Sequence, residues 1–425
     1  GTPIDQEPRK LKLPDNVFQP PGIWKQFRVF FHRNLHSKLQ DKQYLLVGLL
    51  EAPLLALILA YFSRYTKKLE YTTQYMFLEN ENLPVFLFMM VIVAMFLGLM
   101  VSAEQIIQDR KILQREQFLH LHRAGYIHSK IAFLFILSAI QAVTFVFIGN
   151  VLLGIRGMGV PFALMFFTVA CNANMLGLNI SSGFRSLVTI YILIPVLLVP
   201  QLLLSGATLS FDKLPASIRH PKYVPVIGDM IVARWAYEGL MVYQFKDNNY
   251  QKHFMEIDRK ISRSSFMANY LLPELENAVA GIDFQLRSHV LPAQNDWKLV
   301  LNEVKALEQY RNTPMERLPN TVEEINLEII NELSSFLKEV RLLYIQLTNY
   351  YITEKDNIIE SLREKGIDLV KIKEENVNNR IADIVTAKNQ KQEISIMNNE
   401  IIRKAKPVFF SPDSKHGRAH FYAPE

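Results

Sequence analysis

The sequence predicts an all-α membrane protein: five transmembrane helices, then an extracytoplasmic helical hairpin or bundle. Three observations predict it. Five apolar segments lie between residues 44 and 206, each close to the ~20 residues that cross a ~30 Å hydrocarbon core as a helix. After Gly206 no stretch up to Glu425 is apolar enough to cross again. The second half instead carries apolar residues at spacings of three and four, the mark of amphipathic helices. The average hydropathy, near zero, mixes these two unlike halves. A net charge of +6 is mild and implies no nucleic-acid partner. The single cysteine, Cys171, sits in an apolar run, so no intrachain disulfide forms and cysteine usage says nothing of compartment.

In chain order, residues 1–21 hold five prolines among charges and read as a linker from an upstream domain. The start at Gly1, with no apolar run after a charged opening, reads as a piece of a longer chain without a signal peptide. Residues 22–43 read as a basic amphipathic helix at the membrane surface. Trp24, Phe27, Phe31 and Leu35 share one face, and Lys25, Arg28, Arg33 and Lys38 surround it. The apolar segments are 44–62, 83–103, 131–155, 160–180 and 189–206. Pro195 and Pro200 are tolerated in the last because neighbours re-satisfy the freed carbonyls.

Orientation follows from flanking cations. Fourteen Lys and Arg lie before the first segment, between the second and third, and between the fourth and fifth, against four in the other two loops. That excess places the N-terminus in the cytoplasm and, after five crossings, residues 207–425 outside. Within 207–249, the run 224–245 is apolar but contains Asp229, Arg234 and Glu238. Each charge would cost ~2.5–3.5 kcal/mol at mid-bilayer, so an interfacial or re-entrant helix pair is expected there. Residues 250–406 read as helical. Thr321 with Glu324 fits a capping box, Gly366 a helix stop, and Val377, Ile381, Ile384 and Val385 another helix. Residues 407–425, with three prolines, read as a connector.

Several residues invite chemistry. Asn172, Asn174 and Asn179 fall in the fourth span, Gln201 near the end of the fifth and Glu51 in the first. Polar groups at such depth line a substrate path or bond neighbouring helices. Glu51 also suits a basic neighbour near the cytoplasmic interface. His32 and His36 share a helical face, and His120 and His122 bracket Leu121, but neither pair has a third ligand, so no metal is expected. No paired catalytic residues occur in the spans, which argues against an intramembrane enzyme.

The order of these features carries a resemblance. A basic surface helix precedes five spans, and the charged loop AEQIIQDRKILQREQFLHLHRAGY separates the second and third. GLNISS closes the fourth span, PQLLLSG the fifth, and FDKLP and ARWAYEGLMVYQF follow. Over residues 22–248 this resembles the permease domain of a bacterial ABC exporter of the G-subfamily, type-2 kind. The resemblance implies a six-span permease, here with its last span beyond Glu425 and residues 250–425 enlarging the external loop. It implies a permease working as a dimer, a homodimer by default, in lipid of the bacterial cytoplasmic membrane. Alternating access would be driven by an ABC ATPase, fused or separate, which would hold ATP and Mg. No Walker A pattern occurs in the chain itself, so no enzyme activity and no cofactor are expected of it. The resemblance makes loop 104–130 the coupling element, with Glu104, Asp109, Arg110, Arg115 and Glu116 as the force-transmitting charges. Arg115 and Glu116 match an Arg-Glu pair of the family's coupling helix. A lipid-like or apolar cargo is what the family suggests. The alternative is a membrane-anchored interaction protein whose external helical domain binds a partner.

Overall fold

The computed structural model describes residues 21–68, 73–116, 122–218, 224–308, 318–388, 393–410 and Tyr422. The protein is an all-α membrane protein, with two short β-hairpins among the described residues. The reading of 1–20 as a linker and His120 lie outside the described residues.

Helix α1 (Ile23–Gln40) comes first, and Asp41 then caps α2 (Lys42–Ser63) by accepting from the Tyr44 amide. A hairpin of β1 (Thr66–Lys68) and β2 (Thr73–Tyr75) leads to α3 (Leu83–Ala103). After a turn at Glu104 comes α4 (Gln105–Glu116), then α5 (Arg123–Leu153), α6 (Gly159–Gly183) and α7 (Leu187–Leu203). Among the described residues four helices are long and apolar enough to cross a membrane: α2, α3 with its continuation into α4, α5 and α6. The fifth apolar segment forms α7, which has 17 residues. At 1.5 Å per residue it is about 25 Å long, short of the ~30 Å core. It ends because the chain turns at Leu204 and adopts a left-handed glycine at Gly206 (φ 78°).

The spans pack through small residues. Gly48, Ala52, Ala56, Ala60 and Ser63 form the buried stripe of α2, and the Gln141 amide of α5 donates to the Gly48 carbonyl at 2.9 Å. Small side chains let membrane helices approach until backbone atoms touch. The α3–α6 crossing is closer still. A Cβ on Gly98 would stand 2.6 Å from the Ala170 carbonyl oxygen, and one on Gly177 would stand 1.9 Å from Ser102 Oγ. Helix α3 is the centre of the bundle, buried along most of its length.

After α7 come a short turn of helix, α8 (Val226–Asp229), and α9 (Val232–Lys246), a two-helix pair. The three charges of this region meet rather than face lipid. Arg234, 1 % exposed, pairs with Asp229 at 3.1 Å and Glu238 at 3.0 Å, and its guanidinium lies over the Trp235 ring. Helix α9 packs against α3, α6 and α7, so the apolar pattern of this run buries in protein.

The second half is a long helical hairpin. Helices α10 (Met255–Phe266) and α11 (Leu272–Arg287) join through one π turn at Met267–Leu271, and α13 (Leu327–Glu364) packs beside them. Arg341 of α13 donates to the Ala268 carbonyl in the π turn and pairs with Glu276 at 2.8 Å. Helix α12 (Gln294–Glu308) closes this second core around Trp297. Gly366, with φ 75°, ends α13 as its position suggests.

Four details of the sequence reading are corrected. Thr321 and Glu324 do not cap α13: Thr321 precedes a single 3₁₀ turn that Glu324 ends, and the cap of α13 is Asn326, whose Oδ1 accepts from the Ile329 amide at 2.8 Å. Val377 is not helical but separates α14 (Leu369–Asn376) from α15 (Asn379–Val385). Residues 394–403 are not helical either. They form a hairpin of β3 (Ile394–Met397) and β4 (Glu400–Arg403) whose two-residue loop, Asn398–Asn399, has both φ values positive, as a tight type I′-like turn needs. Residues 407–410 are more than connector: Val408 is fully buried against the spans, and Phe409 packs on Phe245.

Candidate functional site

The charged segment after α3 is held at one end of the span bundle by bonds to α6 and α5. Ser181 of α6 starts it: its hydroxyl accepts from the Ile106 and Ile107 amides at 3.0 and 3.1 Å, satisfying donors that a helix start leaves open. Arg110, one turn further, donates to the Ser182 and Phe184 carbonyls at 3.2 and 3.0 Å. These are the carbonyls left unpaired where α6 ends, and a cation there also complements the helix dipole.

Asp109 faces the other way, toward α5. Its Oδ2 accepts from the Tyr126 hydroxyl at 2.8 Å and pairs with Lys130 Nζ at 2.8 Å. Lys130 is 4 % exposed and also donates to Asn34 Oδ1 of α1 at 2.9 Å. Its charge is thus compensated by one carboxylate and two amide oxygens, the second being Gln105 Oε1 at 3.4 Å, as a buried ammonium requires. Helix α1 completes the platform. It turns Gln26, Phe30 and Asn34 onto α5, with Gln26 accepting from the His122 amide and Phe30 edge-on to Tyr126. Gly125 makes the approach possible, lying against the Ile23 carbonyl. Of the aromatic face of α1, Trp24 is 80 % exposed and points away, while Phe27, Phe31 and Leu35 are half-buried. Lys38, near its end, is held below its ordinary pKa chiefly by burial and then by the charge of Lys130, and its ammonium lies over the Tyr44 ring.

The candidate charges therefore separate. Asp109 and Arg110 are tied into the platform, whereas Glu104 sits in the turn and accepts from Gln108 on its own helix. Arg115 is exposed at the last turn of α4, and the Glu116 side chain lies outside the described residues. Sequence reading missed Ser181, Tyr126, Lys130, Gln26 and Asn34. Ser181 and Lys130 carried no signal of their own, since a serine near a helix end and a lysine before an apolar run are ordinary.

The polar residues of the spans also divide. Asn174 is buried and donates to Ser138 Oγ of α5 at 2.8 Å, so it ties two helices and is corrected as a path residue. Gln201 accepts from the Ala233 amide at 3.1 Å, capping the start of α9. Asn172 and Asn179 are exposed on α6. Glu51 is half-buried on α2 and, among the described residues, has no ion-pair partner, so the reading of a basic neighbour is corrected. His32 and His36 meet edge to face at 5.3 Å, and no group of three metal-ligating side chains occurs among the described residues.

The opposite end of the bundle holds the second half of the chain. Asn378 caps α15 and donates to the Phe77 and Asn80 carbonyls at 2.9 and 2.8 Å. Asn376 accepts from Gln244 of α9 and from Asn249. Ile381, Val385 and Tyr422 join the core of the spans. Tyr75 donates to the Leu153 carbonyl at 2.6 Å, and burial, its largest influence, raises its pKa.

Two comparisons with known proteins bear on this arrangement. A search of curated proteins found no match. The family profile described as ABC-2 type transporter matches residues 25–245, from α1 through α9 and so over the platform and every span. The chain therefore belongs to the ABC-2 type transporter family and carries its membrane-spanning permease domain.

Proposed function

We propose that this chain is the permease of an ATP-driven exporter of the G-subfamily kind, worked by an ABC ATPase on the platform of α1 and α4. Permeases of this family generally work with such an ATPase. The observation that carries the reading is the double tie of α4: Asp109 to α5 and Arg110 to the end of α6. Force applied to α4 reaches two spans through charged, directional bonds, which bind a helix more stiffly than apolar contact alone. Arg115, exposed at the end of α4, is the group left to face the ATPase.

In this reading the platform is cytoplasmic, α1 rests its aromatic face on lipid, and the helical hairpin stands outside. The chain hydrolyses nothing; ATP and Mg belong to the ATPase. Two copies enclose the path, Asn172 and Asn179 border it, and an apolar or lipid-like cargo moves by alternating access. The test is the chain reconstituted with its ATPase in vesicles. Arg110→Ala is expected to leave hydrolysis running while export falls. Export unchanged by that substitution, nucleotide bound to this chain alone, or cytosolic protease reaching residues near 330 would overturn the reading.

The alternative reading, an anchored interaction protein, is favoured only by the size of the external hairpin. Removing 256–364 tests it while sparing Asn376, Asn378 and α15, which pad the spans. Export that survives the removal supports the permease.

A further inference from the structure

The inner face of α1 ends in hydrogen-bond donors that lack acceptors. Gln26, Phe30 and Asn34 turn onto α5, and Lys38 stands one turn further along the same face. Asn34 is only 9 % exposed. Its Oδ1 accepts from Lys130 Nζ at 2.9 Å, which fixes the amide, because the opposite orientation would set two donors against each other. Its Nδ2 is therefore buried, and it has no hydrogen-bond partner among the described residues. Lys38 is half-buried and makes no hydrogen bond or ion pair among them either. Its ammonium lies 4.0 Å from the centre of the Tyr44 ring.

The nearby carboxylates are engaged elsewhere. Asp109 holds Lys130 and Tyr126, Glu104 accepts from Gln108, and Asp41 accepts from the Tyr44 amide. Lys38 and Lys130 feel each other's charge, and Lys130 also feels that of Arg33. Buried donors without acceptors are costly, and an anionic oxygen is the acceptor that an ammonium and an amide N–H both take well. Depth narrows the choice. Helix α2 begins its crossing at Lys42, one turn past Lys38, so the cluster lies where hydrocarbon gives way to water, at the level of lipid phosphates. Basic recesses between helices at that level suit phosphate groups. We propose that Lys38 Nζ and Asn34 Nδ2, backed by Lys130, bind a phosphate group where α1, α2 and α5 meet. The placement rests on α2 spanning the membrane and not on the ATPase, so it stands or falls apart from the export reading.

The test uses the full chain, purified in a maltoside detergent free of phosphate. Acylation of Lys38 by a water-soluble succinimidyl ester is read by mass spectrometry, with exposed Lys298 of α12 as comparator. Three probes are added separately: inorganic phosphate, phosphatidylglycerol, and a galactosyl diacylglycerol as the lipid without phosphate. Protection of about fivefold at Lys38 and none at Lys298 is expected from at least one phosphate source. Protection by the phospholipid alone supports a head group as the ligand, and protection by inorganic phosphate supports a soluble one. Asn34→Asp keeps an oxygen for Lys130 but sets a negative charge against the anion. It is expected to melt like the parent and to weaken protection roughly tenfold. Lys38→Met is expected to abolish the rise in thermal transition that the protecting probe gives the parent. No protection by either phosphate source overturns the proposal. So does equal protection by the galactolipid, which would show plain shielding by lipid. A thermal shift that survives Lys38→Met, or protection that survives Asn34→Asp, overturns it as well.

Discussion

At the end of the bundle that carries α1 and α4, helices are tied by charge: Asp109 to Lys130, Arg110 to the last carbonyls of α6. At the opposite end the long second half of the chain is docked mainly by neutral amides, with Asn378 on the Phe77 and Asn80 carbonyls and Asn376 between Gln244 and Asn249. The ion pair seen across that junction among the described residues, Arg156 to Glu375, is largely exposed on the arginine side and contributes little. The difference matters mechanically. A buried ion pair is expensive to leave half-made, so it favours two discrete arrangements over gradual slippage. Buried amides that are fully satisfied and backed by apolar packing hold one arrangement. The platform end is thus joined by charges that move together or not at all, and the opposite junction by amides that hold one arrangement.

Four substitutions or conditions would break or sharpen that contrast. The largest effect is expected at the platform. Asp109→Ala leaves the Lys130 ammonium buried without its countercharge and should cost ~3–5 kcal/mol, seen as an earlier thermal transition in detergent. Adding Lys130→Met should restore most of it. If the single variant melts like the parent, the charge is not what holds this end.

Next comes Asn378→Ala at the opposite junction. It strands the Phe77 and Asn80 carbonyls and the first amides of α15, a loss of about 2–3 kcal/mol. Limited proteolysis should then cut between α13 and α15 faster, with α4 unaffected. Faster cutting at α4 instead would mean the two ends are not separable.

Between the ends, Gly98→Ala sets a methyl 2.6 Å from the Ala170 carbonyl, a backbone atom that yields only if α3 and α6 part. Overpacking of this kind costs ~1–3 kcal/mol. It should weaken both ends together, and a tolerated alanine would show the crossing to be looser than described. The smallest effect is in pH. Tyr75 has its pKa raised above the ordinary 10.0, so the folded protein keeps a proton that the unfolded chain gives up. Stability from this group is present below pH 10 and falls as pH rises beyond it. Tyr75→Phe should flatten that alkaline loss while leaving the platform's behaviour at neutral pH unchanged.

Much of this was legible beforehand, and the part that was not has a common cause. The helix α3 could be bounded from its apolar run alone, and Gly366 as the stop of α13 from its lack of a Cβ. The Asn398–Asn399 turn was legible in principle, since paired asparagines between short β-branched runs fit a hairpin, but it fell inside a region read as helical throughout. For the candidate site, Asp109 and Arg110 were found through the loop's charge. Their partners were not, because Lys130 lies 21 residues away and Ser182 72 or more.

The order of apolar and charged stretches determined that this is a membrane protein, which segments can cross, and where the charged loop falls between them. That much follows from one-dimensional bookkeeping, because hydrocarbon accepts long uncharged helices and little else. Only the tertiary structure decided which charge meets which, that Asn174 ties helices while Asn172 and Asn179 do not, and that Asp229, Arg234 and Glu238 neutralise one another. Those outcomes depend on which face each helix turns to its neighbour and on glycine-sized gaps at Gly98, Gly125 and Gly177, and periodicity alone carries neither.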